Sequence, residues 1–420
     1  MKYKLAYHNN KPSISKPLPH EVWPPNADQE ELKELAQQRN KDIGIRGCTG
    51  PIKELEDNFK EFLDNKVKYT LTFNSGTSAL LASYFAIGLD EGDELIGPAL
   101  TYHAALSPAF FLKTNIILCD IDRNTRCIDP NKIESLLTEK TKAITVVHQW
   151  GHPADMDKIL EIVKKYNLKL IEDCSHAHGS RYKGRLCGTF GDVAVFSLQT
   201  NKAIFAGEGG ILVTNNENIY NRATLLGHYR DRCREEIKDP LLNKYWATGF
   251  GLKLRMSPFN AIVAKHSLLK FKQIKEGRHK CLNYFRDRLK EIDYIEPIVI
   301  EDYIDMGAWY GFKPLYLKDK LYNIERDKLI LALQREGMEV SAPSGKILAE
   351  ESLYDSDRNI LFTNIYRKTK PSIEKLSVAR LVNDSALSLP TFYNWEDDKK
   401  LIDEYIQVFK KIKDNYKELL

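Results

Sequence analysis

Between residues 69 and 214 the chain alternates short, almost continuous apolar runs with longer stretches whose apolar positions recur every three or four residues. The runs at 69–73, 94–97, 116–119, 143–147, 168–172, 193–197 and 210–213 predict strands buried on both faces. The intervening stretches 78–86 and 156–166 read as helices. Strands alternating with helices predict an α/β fold with a mainly parallel sheet flanked by helices. Ligands of such sheets collect at the carboxyl ends of the strands, so the residues just after each strand are the first candidates for chemistry.

Outside this region the pattern differs. A proline-rich stretch at 16–26 predicts an extended arm, and a helix follows from Pro51, with Leu55, Phe59, Phe62 and Leu63 on one face. Beyond about residue 270 a long charged helical stretch, 270–292, leads into strands around Ile298 and at 309–316. The chain closes on an amphipathic helix that carries Leu401, Ile402, Tyr405, Ile406, Phe409 and Ile412 on one face. The expected organisation is an arm at 1–50, a large domain at 51–270 and a smaller C-terminal α/β domain at 271–420.

Composition narrows the function classes. With 62 Lys+Arg against 58 Asp+Glu, the net charge of +4 is too small to imply binding to nucleic acid or to an anionic membrane. The N-terminal residues lack the apolar core of a signal peptide, and no run reaches the roughly 18 apolar residues of a transmembrane helix. The seven cysteines are scattered, with no C-x-x-C pair, which argues against a disulfide framework or a cysteine-rich metal site. A cytoplasmic protein with free thiols and no metal is expected.

Four segments at predicted strand ends carry candidate chemistry. Asn74-Ser75-Gly76-Thr77-Ser78-Ala79 suits a phosphate at a helix N-terminus, although Ser and Thr are also ordinary N-caps. In Glu172-Asp173-Cys174-Ser175-His176-Ala177-His178 the acids either cap the next turn or hold a proton on a heterocyclic nitrogen. The two histidines there are either core residues or part of a metal site whose other ligands are not evident. Lys202, following Ser197-Leu-Gln-Thr-Asn201 and preceding Gly207-Glu-Gly-Gly210, is either a solvated lysine or a Schiff-base amine. Tyr102 either packs or stacks on a flat ring. Taken together, the phosphate loop, stacking aromatic, ring-nitrogen carboxylate and amine describe a pyridoxal phosphate site.

These segments give the chain a resemblance to the DegT/StrS family of sugar aminotransferases, fold type I pyridoxal phosphate enzymes. The likeness runs from about Gly50 to Leu387-Ser-Leu-Pro390. It is carried by Ser75-Gly-Thr-Ser-Ala79, Gly151-His-Pro-Ala-Asp-Met156, Glu172-Asp-Cys-Ser-His-Ala-His-Gly179, the stretch from Ser197 to Gly210, and Arg255-Met-Ser257. The resemblance implies that Lys202 forms the Schiff base and later moves a proton, and that Asp173 pairs with the pyridinium nitrogen. It further implies that Tyr102 stacks on the ring and that Gly76, Thr77 and Ser197 hold the phosphate. His176 stands where the family often has Gln near the ring hydroxyl. Lys253 stands where an Asn often reaches the phosphate of the neighbouring subunit, which implies a homodimer with shared active sites.

The implied reaction is a ping-pong transfer. L-glutamate or L-glutamine converts the cofactor to pyridoxamine phosphate, which then aminates a keto-sugar, nucleotide-linked, or a related keto-cyclitol or keto-polyol phosphate. Leu198-Gln199, Trp150 and His152 depart from the family's usual residues and bear on the substrate; His103, His148, Gln149, Trp150, His178 and Tyr229 are further pocket candidates. Two alternatives stand beside this reading: a sugar dehydratase or epimerase with the same cofactor, and a cofactor-binding sensor without activity. Lys202 disfavours the first, since some related dehydratases carry histidine there, and the lack of room for a DNA-binding module disfavours the second.

Overall fold

The computed structural model describes residues 4–14, 23–354 and 373–420. Most of the proline-rich stretch therefore lies outside the described residues; only 23–26 of it are described. Seven strands form the central sheet: β1 (Tyr69–Phe73), β2 (Glu94–Pro98), β3 (Asn115–Cys119), β4 (Thr141–Val147), β5 (Lys169–Asp173), β6 (Val193–Ser197) and β7 (Gly210–Thr214). Their spatial order is β1-β7-β6-β5-β4-β2-β3. Only β7 runs against the others, antiparallel to both β1 and β6. The fold is thus α/β with a mainly parallel sheet, and each strand begins and ends within two residues of its apolar run.

Register decides what the sheet brings together. Phe73 lies opposite Gly210, and Gly210 opposite Ser197. One strand further, Asp173 pairs with Val195 on one side and with Val147 on the other. The ends of β1, β4, β5 and β6 therefore form one line, along which the segments after residues 73, 173 and 197 leave the sheet, while the Tyr102 segment follows β2, the parallel neighbour of β4. The loop that carries Lys202 closes the antiparallel β6–β7 pair.

Helices cover both faces. The helix α1 (Gln29–Arg39) is followed by α2 (Gly50–Phe62), which buries Ile52, Leu55 and Phe59, and by α3 (Gly76–Ile87), which is buried along most of its length. The helix α4 (Met156–Lys165) buries Met156, Ile159 and Ile162. The long helix that the charge pattern places at 270–292 starts at Pro258 and runs to Leu289 (α5). Its first turns contain the buried residues Ala261, Ile262, Ala264, His266 and Ser267. A helix buried on most sides shows no amphipathic stripe, which hides its beginning from the pattern. Ser257 caps it, accepting a hydrogen bond from the Phe259 amide at 3.3 Å, and Pro258 fits the first turn.

A second core joins the end of α5 to the helices at Arg326–Arg335 and Trp395–Asp414, with Phe285, Tyr294, Phe312, Leu333, Tyr405 and Phe409 at its centre. Ile347, Leu348, Ala379 and Val382 pack instead into the core beside the sheet. The strand expected at 309–316 is confined to Leu315–Tyr316, paired with Ile295–Glu296. Trp309 sits at φ 46°, and Pro314 has no amide to donate, so the segment bends instead of pairing along its length. That bend brings Tyr310 and Lys313 to the strand ends of the main sheet. Among the described residues no helix is long and apolar enough to cross a membrane.

Candidate active site

A cavity of about 650 Å³ lies over the line of strand ends, within the usual size of small-molecule pockets. Of the residues named from sequence, Gly76, Thr77, Tyr102, Asp173, His176, Ser197 and Lys202 line it. Lys253 does not: it is exposed, in the loop that precedes Arg255. Among the further candidates, His103, Gln149 and Trp150 line the cavity, whereas His148, His178 and Tyr229 do not.

One wall is the start of α3. The Ser75 hydroxyl caps the helix, accepting from the Ser78 amide at 3.0 Å. The first amides of a helix have no intrahelical acceptor, and the helix dipole makes that end positive. Ser197, at the end of β6, faces this terminus closely. A Cβ on residue 76 would stand 2.8 Å from Ser197 Cβ, so only glycine permits the approach. The result is a cradle of backbone amides with the Thr77 and Ser197 side chains beside it, suited to a phosphate.

The floor is the end of β5. Alternation along the strand sends the neighbouring acids Glu172 and Asp173 to opposite faces. Asp173 faces the cavity, where one carboxylate oxygen accepts from the Ser175 amide at 3.0 Å. Burial raises its pKa, partly offset by the Ser175 hydrogen bonds and by the charge of Lys202. Glu172 is fully buried on the other side and accepts from the amides of Gly188, Phe190 and Gly191 at 2.7–2.8 Å. It also pairs with His148 Nε2 at 3.1 Å, while His148 Nδ1 accepts from the Ala154 amide at 3.0 Å. His148, Glu172 and Cys174 lie close enough to hold a metal, but the histidine and the carboxylate are already spent on these bonds. Glu172→Ala leaves the Gly188, Phe190 and Gly191 amides without their acceptor, one buried and two partly buried, and each costs about 1–3 kcal/mol when it stays dry. A stability loss of about 3 kcal/mol or more in urea unfolding is expected; a loss under about 1 kcal/mol would contradict this structural role.

Lys202 sits in a loop tied at several points. Its amide donates to the Gln199 carbonyl at 2.8 Å, Thr200 and Gly207 pair at 2.9 Å, and the Trp23 indole donates to the Thr200 carbonyl at 3.0 Å. The Lys202 Nζ lies 3.9 Å from the Tyr310 ring centroid. Burial lowers its pKa to about 8, with Asp173 opposing the shift. An amine so placed is largely uncharged in mildly alkaline solution and can attack a carbonyl.

His176 stacks on Tyr310 with ring centroids 3.9 Å apart and 7° between planes. Its Nδ1 accepts from the Trp150 amide at 3.4 Å, which leaves Nε2 to carry the proton. Burial, with the charges of Lys202 and Lys313, holds its pKa well below the ordinary histidine value. Tyr102 stands at the rim, 64% exposed and leaning on His103. The cavity also takes Tyr310, Lys313, Ser344 and Lys346 from the C-terminal region. Sequence gave no motif for these residues; a local signal existed only in the glycine and proline that break the segment 309–316 as a strand.

The sequence profile of the DegT/DnrJ/EryC1/StrS aminotransferase family matches residues 25–400. The chain is 31% identical to the putative L-glutamine:3-amino-2,3-dideoxy-scyllo-inosose aminotransferase of Micromonospora echinospora over 343 residues, 81% of this chain and 79% of that one. It is 40% identical to the GDP-perosamine synthase of Escherichia coli O157:H7 over 212 residues, 50% of this chain. That match spans only 56% of the synthase's length. The crystal structure of an aminotransferase from Psychrobacter cryohalolentis superposes with a TM-score of 0.81 at 24% identity, covering 94% of this chain and 99% of that one, and shows the same fold. Profile, relatives and fold agree, and the chain belongs to the DegT/DnrJ/EryC1/StrS aminotransferase family.

Proposed function

We propose that the protein is a pyridoxal phosphate-dependent aminotransferase that moves an amino group from L-glutamate or L-glutamine to a keto-sugar, nucleotide-linked, or to a related keto-cyclitol or keto-polyol phosphate. The observation that carries this reading is one cavity holding a helix N-terminus with flanking hydroxyls, a buried carboxyl and a buried amine of lowered pKa. These groups come together in one cavity over the strand ends, an arrangement that suits a flat, phosphorylated heterocycle.

When bound, the cofactor supplies an electron sink for the substrate carbon and carries the amino group between the two substrates. The chain supplies the rest. The start of α3, with Thr77 and Ser197, would hold the phosphate, Gly76 letting Ser197 approach the helix terminus. Asp173 would hold a proton on the ring nitrogen, and His176 Nε2 would be the donor toward the ring's oxygen. Tyr102 would close the open face, and Lys202 Nζ, the buried amine of the cavity, would anchor the cofactor and take and return the proton at the reacting carbon. Lys253, exposed in the same loop as the exposed Phe250 and Leu252, reaches the neighbouring subunit's site in a homodimer. The unpaired thiols support a cytoplasmic setting.

Two relatives bear on the acceptor: one is named for a GDP-linked amino sugar, the other for an aminocyclitol precursor. Incubation of the cofactor-loaded protein with L-glutamate or L-glutamine and a panel of nucleotide-linked keto-sugars and keto-cyclitols, followed by mass spectrometry, tests the assignment. One ketone gaining an amino group is the expected result. Water loss or epimerisation without nitrogen gain would contradict it.

A further inference from the structure

Two lysines line the cavity close to Trp150, Tyr310 and His176, and the amino transfer proposed above uses only Lys202. The second, Lys313, comes from the bent segment after Trp309. Its Nζ lies 5.0 Å from the centroid of the Trp150 ring. Gly311 packs against both side chains: a Cβ there would stand 3.3 Å from Lys313 Cε and 3.5 Å from Trp150 Cβ. Trp150 is itself fixed, buried at φ 55°, with its carbonyl accepting from the Gly311 amide at 3.3 Å and its amide donating to His176 Nδ1 at 3.4 Å. Lysine, indole and histidine thus form one braced wall.

Nothing anionic among the described residues balances this amine. Burial alone moves its pKa, down to about 8, and no carboxylate acts against the shift. Of the charged groups in the cavity, Lys202 is also cationic, Asp173 is engaged with Ser175, Glu351 accepts from the Lys346 amide at 3.0 Å, and Glu208 is exposed. The same fold does pair a buried cation elsewhere: Arg232 donates to both oxygens of Glu56 at 2.8 Å. Next to Trp150, Gln149 is 3% exposed and its Oε1 has no hydrogen-bond partner, although it lines the cavity. A desolvated ammonium and a buried carbonyl without partners are both unfavourable until a ligand satisfies them.

We propose that Lys313, seated on Trp150, is a specificity residue that binds an anionic oxygen of a substrate, a carboxylate or a phosphate. The proposal rests on the amino-transfer reading. Two sources offer this chemistry: the carboxylate of the amino donor and an acidic group on the keto acceptor.

Lys313→Met and Lys313→Arg, both loaded with pyridoxal phosphate so that the start of α3 is already filled, separate the two. The readouts are the L-glutamate concentration that half-saturates bleaching of the cofactor's visible absorbance, the limiting rate, and binding of inorganic phosphate by calorimetry. Loss of a charge-assisted contact predicts a weakening of about tenfold or more in Lys313→Met, with partial recovery in Lys313→Arg. Weakening of L-glutamate alone, with the limiting rate little changed, identifies the donor carboxylate; weakening of phosphate alone identifies the acceptor's acidic group. Unchanged affinity for both in a folded Lys313→Met protein overturns the proposal. If no amino donor bleaches the wild-type protein, the amino-transfer reading fails separately, and phosphate binding by wild type and variant still decides the role of Lys313. Lys313→Gln provides the same comparison should the methionine variant not fold.

Discussion

Lys202→Ala is expected to lower amino transfer by roughly 10³-fold or more, combining loss of the nucleophile with loss of the proton carrier. The fold is expected to survive, because the substitution removes a buried amine with no ion pair and leaves the tied loop from Leu198 to Gly207 in place. The wild-type amine adds a pH signature. In the folded protein its pKa lies at about 8, below the ordinary lysine value, because burial disfavours the charged form. The uncharged, attacking form therefore grows as pH rises through about 8 and is nearly complete above it. The rate at which added pyridoxal phosphate develops its protein-bound absorbance should climb over that window and then level off. The variant should show neither the band nor the climb. Near-normal turnover in Lys202→Ala would remove the basis for the catalytic assignment.

Asp173→Asn is expected to keep the cofactor but lose roughly 10²–10³-fold in rate, the scale of a single well-placed electrostatic group. The carboxylate sits at a strand end on the cavity floor, oriented by the Ser175 amide. Burial raises its pKa, yet the nearby Lys202 charge favours the ionised form. A carboxylate in such surroundings holds a proton on a facing ring nitrogen strongly, since the low-dielectric site amplifies the attraction. The amide of asparagine keeps the size and the Ser175 contact and removes the charge. Steady-state rates for the variant together with its cofactor affinity check this. Rates close to wild type would mean that the ring nitrogen is not the partner of Asp173.

The parts of the molecule legible in sequence are those in which chemistry and position travel together along the chain. Continuous apolar runs marked all seven strands because a sheet covered on both faces leaves little room for polar residues. The motifs after β1, β5 and β6 could be grouped because strand ends of a parallel sheet meet at one edge. Residue types alone could not divide Glu172 from Asp173, since both are acids at one strand end; only the family resemblance singled out Asp173. Their opposite roles follow from the alternation of side chains, which depends on where the strand begins. Pattern also missed the start of α5, buried too fully to show a stripe, and the bend at 309–316. Tyr310 and Lys313 reach the cavity through that bend, a contact set by packing between distant parts of the chain.

The most direct test of the central claim is the visible absorbance of purified protein with pyridoxal phosphate, recorded before and after L-glutamate or L-glutamine is added. The expected result is a protein-bound band that the amino donor bleaches and that Lys202→Ala never develops. A band that no amino donor bleaches would contradict amino transfer, and no band at all would contradict the cofactor.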